Sequence, residues 1–135
     1  MLGEKIAEFA GKTTGVRVLS NNGNTPRVEV SMQQSGRICG VETTDMGTYV
    51  SEMQPQGFFK GDGQGISMTK DGEMITWTAN AVGRPTGKGT AVAWRGTVFY
   101  TTASKNLSRL NGLCCVFEYD VDENGNSKGN VHEWR

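Results

Sequence analysis

The chain has 135 residues, a length that fits one domain with a real core. Fourteen basic residues balance fourteen acidic ones and no stretch is strongly basic, which speaks against a phosphate-tracking nucleic-acid surface. Nineteen glycines, with Thr (14) and Val (12) far outnumbering Leu (5), favour many strands and turns over helices.

The three cysteines, Cys39, Cys114 and Cys115, do not suit a disulfide framework. Their number is odd, and the vicinal pair lies in a strand pattern where successive side chains point to opposite faces. Reduced thiols in a cytoplasmic protein are the expectation. The N-terminal segment MLGEKIAEFAGK carries Glu4, Lys5 and Glu8 and has no continuous apolar stretch, so it does not read as a signal peptide. No apolar run approaches the roughly 20 residues of a membrane span.

Residues 1–15 read as an N-terminal arm. Leu2, Ile6, Phe9 and Ala10 make an approximate helical stripe that Gly3 and Gly11 cut short. Val16 to Leu19 is a possible first strand, and Asn21 to Pro26 a loop. From Arg27 the alternation is clean, with Val28, Val30 and Met32 set against Glu29, Ser31 and Gln33. A two-residue turn at Ser35-Gly36 would oppose Met32 to Cys39 and Val30 to Val41, and Asp45-Met46-Gly47 reads as the next turn.

Phe58-Phe59-Lys60 leads into GDGQG, where dense glycine suggests bulges or a barrel corner. Asp71-Gly72 signals a hairpin that would set Met68 against Ile75 and Ile66 against Trp77. GRPTGKG is a loop. Thr90 to Thr102 is the longest strand pattern. Ser104 to Leu110 reads as one or two helical turns, with Ser104 a possible N-cap and Asn111-Gly112 a stop. Leu113 to Val121 and Val131 to Trp134 are strands around the Asn124-Gly125 turn. About eight strands on short antiparallel connections, with no βαβ alternation, predict an all-β fold: a single closed antiparallel barrel spanning 1–135 with one short helical connector.

Three motif-like stretches lose their chemistry on inspection. Asp120 to Asn126 resembles the start of a calcium loop, but position twelve is Val131 and the flanks are strands, so a polar hairpin tip explains the same letters. GRPTGKGT has one residue too few for a P-loop and Gly89 where the metal-binding hydroxyl belongs. GDGQG is an incomplete dinucleotide fingerprint. The single histidine, His132, cannot form a His-rich metal site. No metal site and no cofactor are expected.

Pairing Glu123 with Asn126 opposes His132 to Phe117, which puts His132 on a face with Cys115, Phe117, Tyr119 and Trp134. Arg95 shares its face with Ala91, Ala93, Thr97 and Phe99, while Val92, Trp94, Val98 and Tyr100 line the other. An Arg in that setting needs a carboxylate, for which Glu118 and Glu73 are the candidates. It could also anchor an anionic ligand. The expected ligand-binding residues are therefore Trp77, Arg95, Phe99, Phe117, Glu118, Tyr119 and His132, with no catalytic residue assigned.

The W-R-G strand (Trp94 to Gly96), the S-x-x-L-x-x-L-N-G connector (Ser104 to Gly112) and the F-E-Y run (Phe117 to Tyr119) resemble a family of uncharacterised bacterial small barrels, similar to the allene oxide cyclase barrel within the calycin-like group. The resemblance implies eight antiparallel strands, self-association as a homo-oligomer, and a lumen for a small apolar molecule. No cyclase active-site motif is matched, so no catalytic residues follow from it. The functional expectation is binding of a small apolar or weakly acidic molecule in the lumen, without nucleic-acid or membrane partners. The alternatives are a cofactor-independent isomerase or cyclase using the same pocket, or a purely structural module.

Overall fold

The structure, a computed structural model, describes residues 1–135. Eight strands follow in order: β1 (Leu2–Ser20), β2 (Arg27–Ile38), β3 (Val41–Met53), β4 (Phe59–Thr69), β5 (Met74–Pro85), β6 (Val92–Thr102), β7 (Cys115–Val121) and β8 (Asn126–Trp134). Each pairs antiparallel with the next, and β8 pairs with β1. The sheet closes on itself, as the short connections and strand count predict. Its one helical element is a single 3-10 turn, Ser108–Leu110. No helix is long and apolar enough to cross a membrane.

Residues 1–15, expected as an arm, belong to the barrel wall. From Ala7 onward β1 alternates, with Ala7, Phe9, Gly11 and Thr13 turned inward and Glu8, Ala10 and Lys12 outward. A bulge between Lys5 and Ala7 places Ile6 and Ala7 both in the interior, which hides the period of two and imitates a helical stripe. Beyond Lys12, β1 leaves β8 and pairs with β2 alone, and Val16 and Val18 are exposed there.

Three hairpins differ in register from the sequence expectation. The β2–β3 turn is at Cys39-Gly40, where both residues have positive φ (50° and 79°), as a tight two-residue hairpin loop requires. Ser35-Gly36 and Asp45-Met46-Gly47 are therefore mid-strand, and Val30 faces Tyr49 while Met32 faces Gly47. Gly36 is small because β1 crosses close: a Cβ there would lie 2.7 Å from the Phe9 Cα.

The β4–β5 loop has three residues, Lys70-Asp71-Gly72, closed by Thr69 N–H donating to the Glu73 carbonyl at 2.8 Å. Ser67 then faces Ile75, and Met68 faces Met74. The β7–β8 loop is likewise Glu123-Asn124-Gly125, closed by Asp122 N–H donating to the Asn126 carbonyl at 2.8 Å. The Asp122 carboxylate accepts from the N–H groups of Asn124 and Asn126, each at 2.9 Å, so it serves the hairpin tip. An Asp-Gly or Asn-Gly pair suits both the two-residue loop and the three-residue loop with a left-handed glycine at its end. The choice moves the register by one residue and exchanges the two faces of a strand.

One barrel end is plugged. Ile6, Ile38, Ile75, Leu107, Leu110 and Cys115 form a buried apolar cluster beneath the 3-10 turn. The turn has Leu107 as its N-cap residue and no side-chain cap; Ser104, the expected cap, lies outside it. Asn111 pins this connector instead. Its Oδ1 accepts from Thr102 N–H at 2.9 Å and its Nδ2 donates to the Thr102 carbonyl at 3.0 Å.

Candidate functional site

Above the plug the barrel holds a cavity of about 80 Å³. Phe9, Met32, Tyr49, Trp77, Trp94, Val98, Tyr100, Phe117, Tyr119 and Val131 supply most of its wall, with Gln34 and Asp45 as polar members. The wall residues come from alternate positions of successive strands. On β3 these are Asp45 and Tyr49; on β5, Trp77, Ala79 and Ala81; on β6, Trp94, Val98 and Tyr100.

The glycines of β4 make this cavity, with no bulge or corner. The β3–β4 and β4–β5 registers run without interruption through GDGQG. Gly61 and Gly65 occupy inward positions where large rings press on the sheet, and a Cβ at Gly63 would lie 2.9 Å from Tyr49 Cβ. A Cβ at Gly61 would lie 2.6 Å from Trp94 Cζ3, and one at Gly47 would lie 2.6 Å from Trp77 Cζ2. Two indoles thus lie against bare backbone, and the space across the barrel from them stays open. Tyr49 meets Trp94 edge-on at 5.6 Å and Tyr119 at 6.3 Å, fixing the ring orientations.

Asp45 is a half-buried, inward-facing acidic side chain in this largely apolar lining. Gln34 Nε2 donates to its Oδ2 at 2.6 Å; Ser67 Oγ and Trp77 Nε1 donate to its Oδ1 at 3.0 and 2.9 Å. The donors come from β2, β4 and β5, all adjacent to or one strand from β3, so the closed sheet itself assembles the set. Burial pushes the Asp45 carboxyl above its ordinary range, and the donated hydrogen bonds from Trp77, Gln34 and Ser67 and from the Met46 N–H pull it back. Burial also raises Tyr49, Tyr100 and Tyr119, which are neutral donors in this cavity.

Three polar atoms of lining residues are buried without a partner: Gln34 Oε1, Trp94 Nε1 and the Tyr119 hydroxyl. Trp94 Nε1 lies beside the Tyr49 hydroxyl without an aligned hydrogen bond, and the Tyr119 hydroxyl lies beside the equally unpartnered Ser127 Oγ. Both side chains are deeply buried, Trp94 at 4% and Tyr119 at 6% exposure. Each atom has less than 1 Å² of accessible surface, and the neighbouring Tyr49 and Ser127 hydroxyls are the groups placed to satisfy Trp94 and Tyr119.

The structure brings together Trp77, Phe117 and Tyr119 from the sequence-derived set and puts the other four on the outer surface. Arg95 and Phe99 occupy the outward face of β6, and Phe99 is 47% exposed. Arg95 pairs with Asp120, Nη1 to Oδ1 2.8 Å, rather than with Glu118 or Glu73. Glu118 points outward on β7. His132 pairs across from Val116 and Phe117 from Val131, because the three-residue loop moves β8 by one position. The bulkier aromatic face of β6, Trp94, Val98 and Tyr100, is the inner one. That face was readable as a choice between two. Asp45 was not, since Asp-Met-Gly has turn chemistry that the closed sheet overrides.

No protein-family model matches the chain, and no characterised protein is significantly similar in sequence. Solved structures share the fold at low identity. A β-barrel-like protein from Acinetobacter baumannii aligns with a TM-score of 0.82 at 13% identity, over 100% of this chain and 96% of that one. A conserved protein of unknown function from Rhodopseudomonas palustris gives 0.80 at 13%, over 98% and 97%. An enzyme from Penicillium herquei gives 0.67 at 16%, over 98% and 96%. At these identities the likeness establishes the small β-barrel fold alone, over the whole chain.

Proposed function

We propose that the barrel binds a small, neutral, largely apolar molecule that carries a hydrogen-bond acceptor such as a carbonyl. The observation that carries this reading is the aromatic cavity, whose lining sets a few polar groups, Gln34, Asp45 and tyrosine hydroxyls, among apolar rings. Concave apolar sites with a few convergent polar groups are the usual form of small-molecule pockets. A ligand oxygen can accept from a tyrosine hydroxyl of the lining, a hydrogen bond worth about 0.5–1.5 kcal/mol net. The resemblance to allene oxide cyclase-like barrels supports the same class of apolar lumen ligand. An acidic ligand fits less well. Arg95, its expected anchor, is outside the barrel, and an anion in the lumen would meet Asp45.

The intrinsic fluorophores provide the test. Trp77 and Trp94 line the cavity, while Trp134 is half-exposed on the surface. In a Trp134→Phe background, neutral aromatic ketones and alcohols should change the emission saturably and raise the melting temperature. Indane-2-carboxylate should bind at least tenfold more weakly than 2-indanone. A panel of neutral compounds that changes neither signal at millimolar concentration would remove the binding reading.

A further inference from the structure

We infer that Asp45 is the general base of a proton-transfer reaction on a carbonyl compound held in the lumen, an enolisation or double-bond shift that needs no cofactor. The assignment rests on the lumen being a ligand site and goes further, to the reaction run there. Its first support is the environment of the carboxylate. Trp77 Nε1 is a donor only, and with Ser67 Oγ it supplies two hydrogen bonds to Oδ1. Gln34 supplies the single side-chain hydrogen bond to Oδ2. The ionised form is thus held in place in an apolar surrounding while Oδ2 retains a lone pair for a proton. The carboxylate lines the cavity, where a bound molecule can meet it.

The second support is the set of tyrosine hydroxyls in the same lining, on Tyr49, Tyr100 and Tyr119, which burial keeps neutral and able to donate. A base and separate hydrogen-bond donors for a developing oxyanion are the two parts that enolisation requires. Asp45 takes the proton from the carbon next to the carbonyl. The C–H electron pair becomes the C=C bond, and the carbonyl π pair moves onto oxygen, where a tyrosine hydroxyl of the lining stabilises it. Return of the proton from Asp45 to the same carbon regenerates the ketone; return to the far end of a conjugated system shifts the double bond. No oxidant, reductant or second substrate enters. Burial raises the basicity of Asp45 above that of a solvated carboxylate, the direction that favours removal of a weakly acidic proton.

The probe is 2-indanone, an apolar ketone with exchangeable C–H groups on both sides of its carbonyl. In D2O the wild-type protein should accelerate deuterium incorporation roughly 100-fold or more over Asp45→Asn, the scale of general base catalysis. Asp45→Asn should still bind 2-indanone. Its folding is protected because the Gln34 amide can turn so that Oε1, now unpartnered, accepts from the new amide. A second variant decides the matter without it. Trp77→Phe removes a donor from the carboxylate, so the pH midpoint of exchange should move upward. Binding of 2-indanone without accelerated exchange, or an unmoved midpoint in Trp77→Phe, overturns the assignment and leaves the binding reading standing. Failure of 2-indanone alone to bind, while neutral alcohols do, overturns the assignment to carbonyl compounds. Failure of every neutral compound removes both.

Discussion

Next to the Ser108–Leu110 turn, the barrel interior is filled with Ile6, Ile38, Ile75, Leu107, Leu110 and Cys115, several of them wholly inaccessible. Toward the loops at 21–26, 54–58 and 86–91, the same interior is built from aromatic rings set on glycine, a carboxylate, and donors without partners. The first half follows the ordinary rule of interiors, close packing of apolar side chains in a shape they fill. The second half departs from it in two ways, by leaving space and by burying polar groups. Both departures destabilise, and local inconsistencies of this kind concentrate at functional sites. The plug can therefore be read as the stabilising part of the fold and the glycine-backed half as the working part.

The largest effect that would break this division is in the plug. Leu110→Ala removes a wholly buried side chain and should lower unfolding free energy by about 2–5 kcal/mol, measured by urea denaturation. At temperatures where the variant stays folded, its affinity for 2-indanone should match wild type. A Leu110→Ala protein that folds normally and loses the ligand would place the working part at the wrong end.

Gly65→Ala tests the other half. The new Cβ would lie 2.6 Å from Trp77 Nε1 and closer still to its ring carbons. The indole cannot yield freely, because its N–H is bonded to Asp45 and its ring rests on Gly47. Overpacking of this kind costs about 1–3 kcal/mol. The variant should melt lower than wild type, shift the emission of Trp77 and lose most affinity for the lumen probe. Unchanged emission would mean that the glycines are not what shapes the cavity.

A smaller effect concerns pH. Burial raises Asp45 in the folded state above the ordinary carboxylate value of 3.8. The folded protein then binds this proton more tightly than the unfolded chain, so the Asp45 contribution to stability falls as pH rises from about 3.8 through its folded pKa. Glu8, held down by its hydrogen bond with Lys5, and Asp122, held down by the N–H groups of its hairpin, behave oppositely and cancel between wild type and variant. Accordingly, the difference in stability between wild type and Asp45→Asn should shift in favour of wild type as the solution is acidified through that window. A difference independent of pH would mean that Asp45 titrates as it does in water.

The barrel was legible in the sequence because closure depends on the number of alternating strands and on short connections, both of which survive small errors. The site was not, because which side chains face the lumen depends on register. The Glu123-Asn124-Gly125 loop shows the scale of the difficulty. One extra residue in it separates His132 from Phe117 and turns the histidine outward. The Lys70-Asp71-Gly72 loop does the same to Ile66 and Met68, and brings in Ser67, a partner of Asp45. In β6 both faces are apolar enough to pass for an interior, so composition did not decide between Arg95 and Trp94.

Arg95 gives the smallest expected effect and the sharpest check on that register. Its guanidinium is half-exposed and pairs with a half-exposed Asp120 at 2.8 Å. Surface pairs of this kind contribute about 0–1 kcal/mol. Arg95→Met should therefore change stability by no more than this and leave 2-indanone affinity unaltered. His132→Ala should behave the same way, since its ring lies on the outer side of β8 opposite Val116. The paired inner-face change, Val131→Ala, removes a cavity-lining side chain that is 1% exposed and should both destabilise the barrel and alter probe affinity. Adjacent residues on one strand would then give opposite answers, and only the register with Phe117 opposite Val131 predicts which answer belongs to which residue.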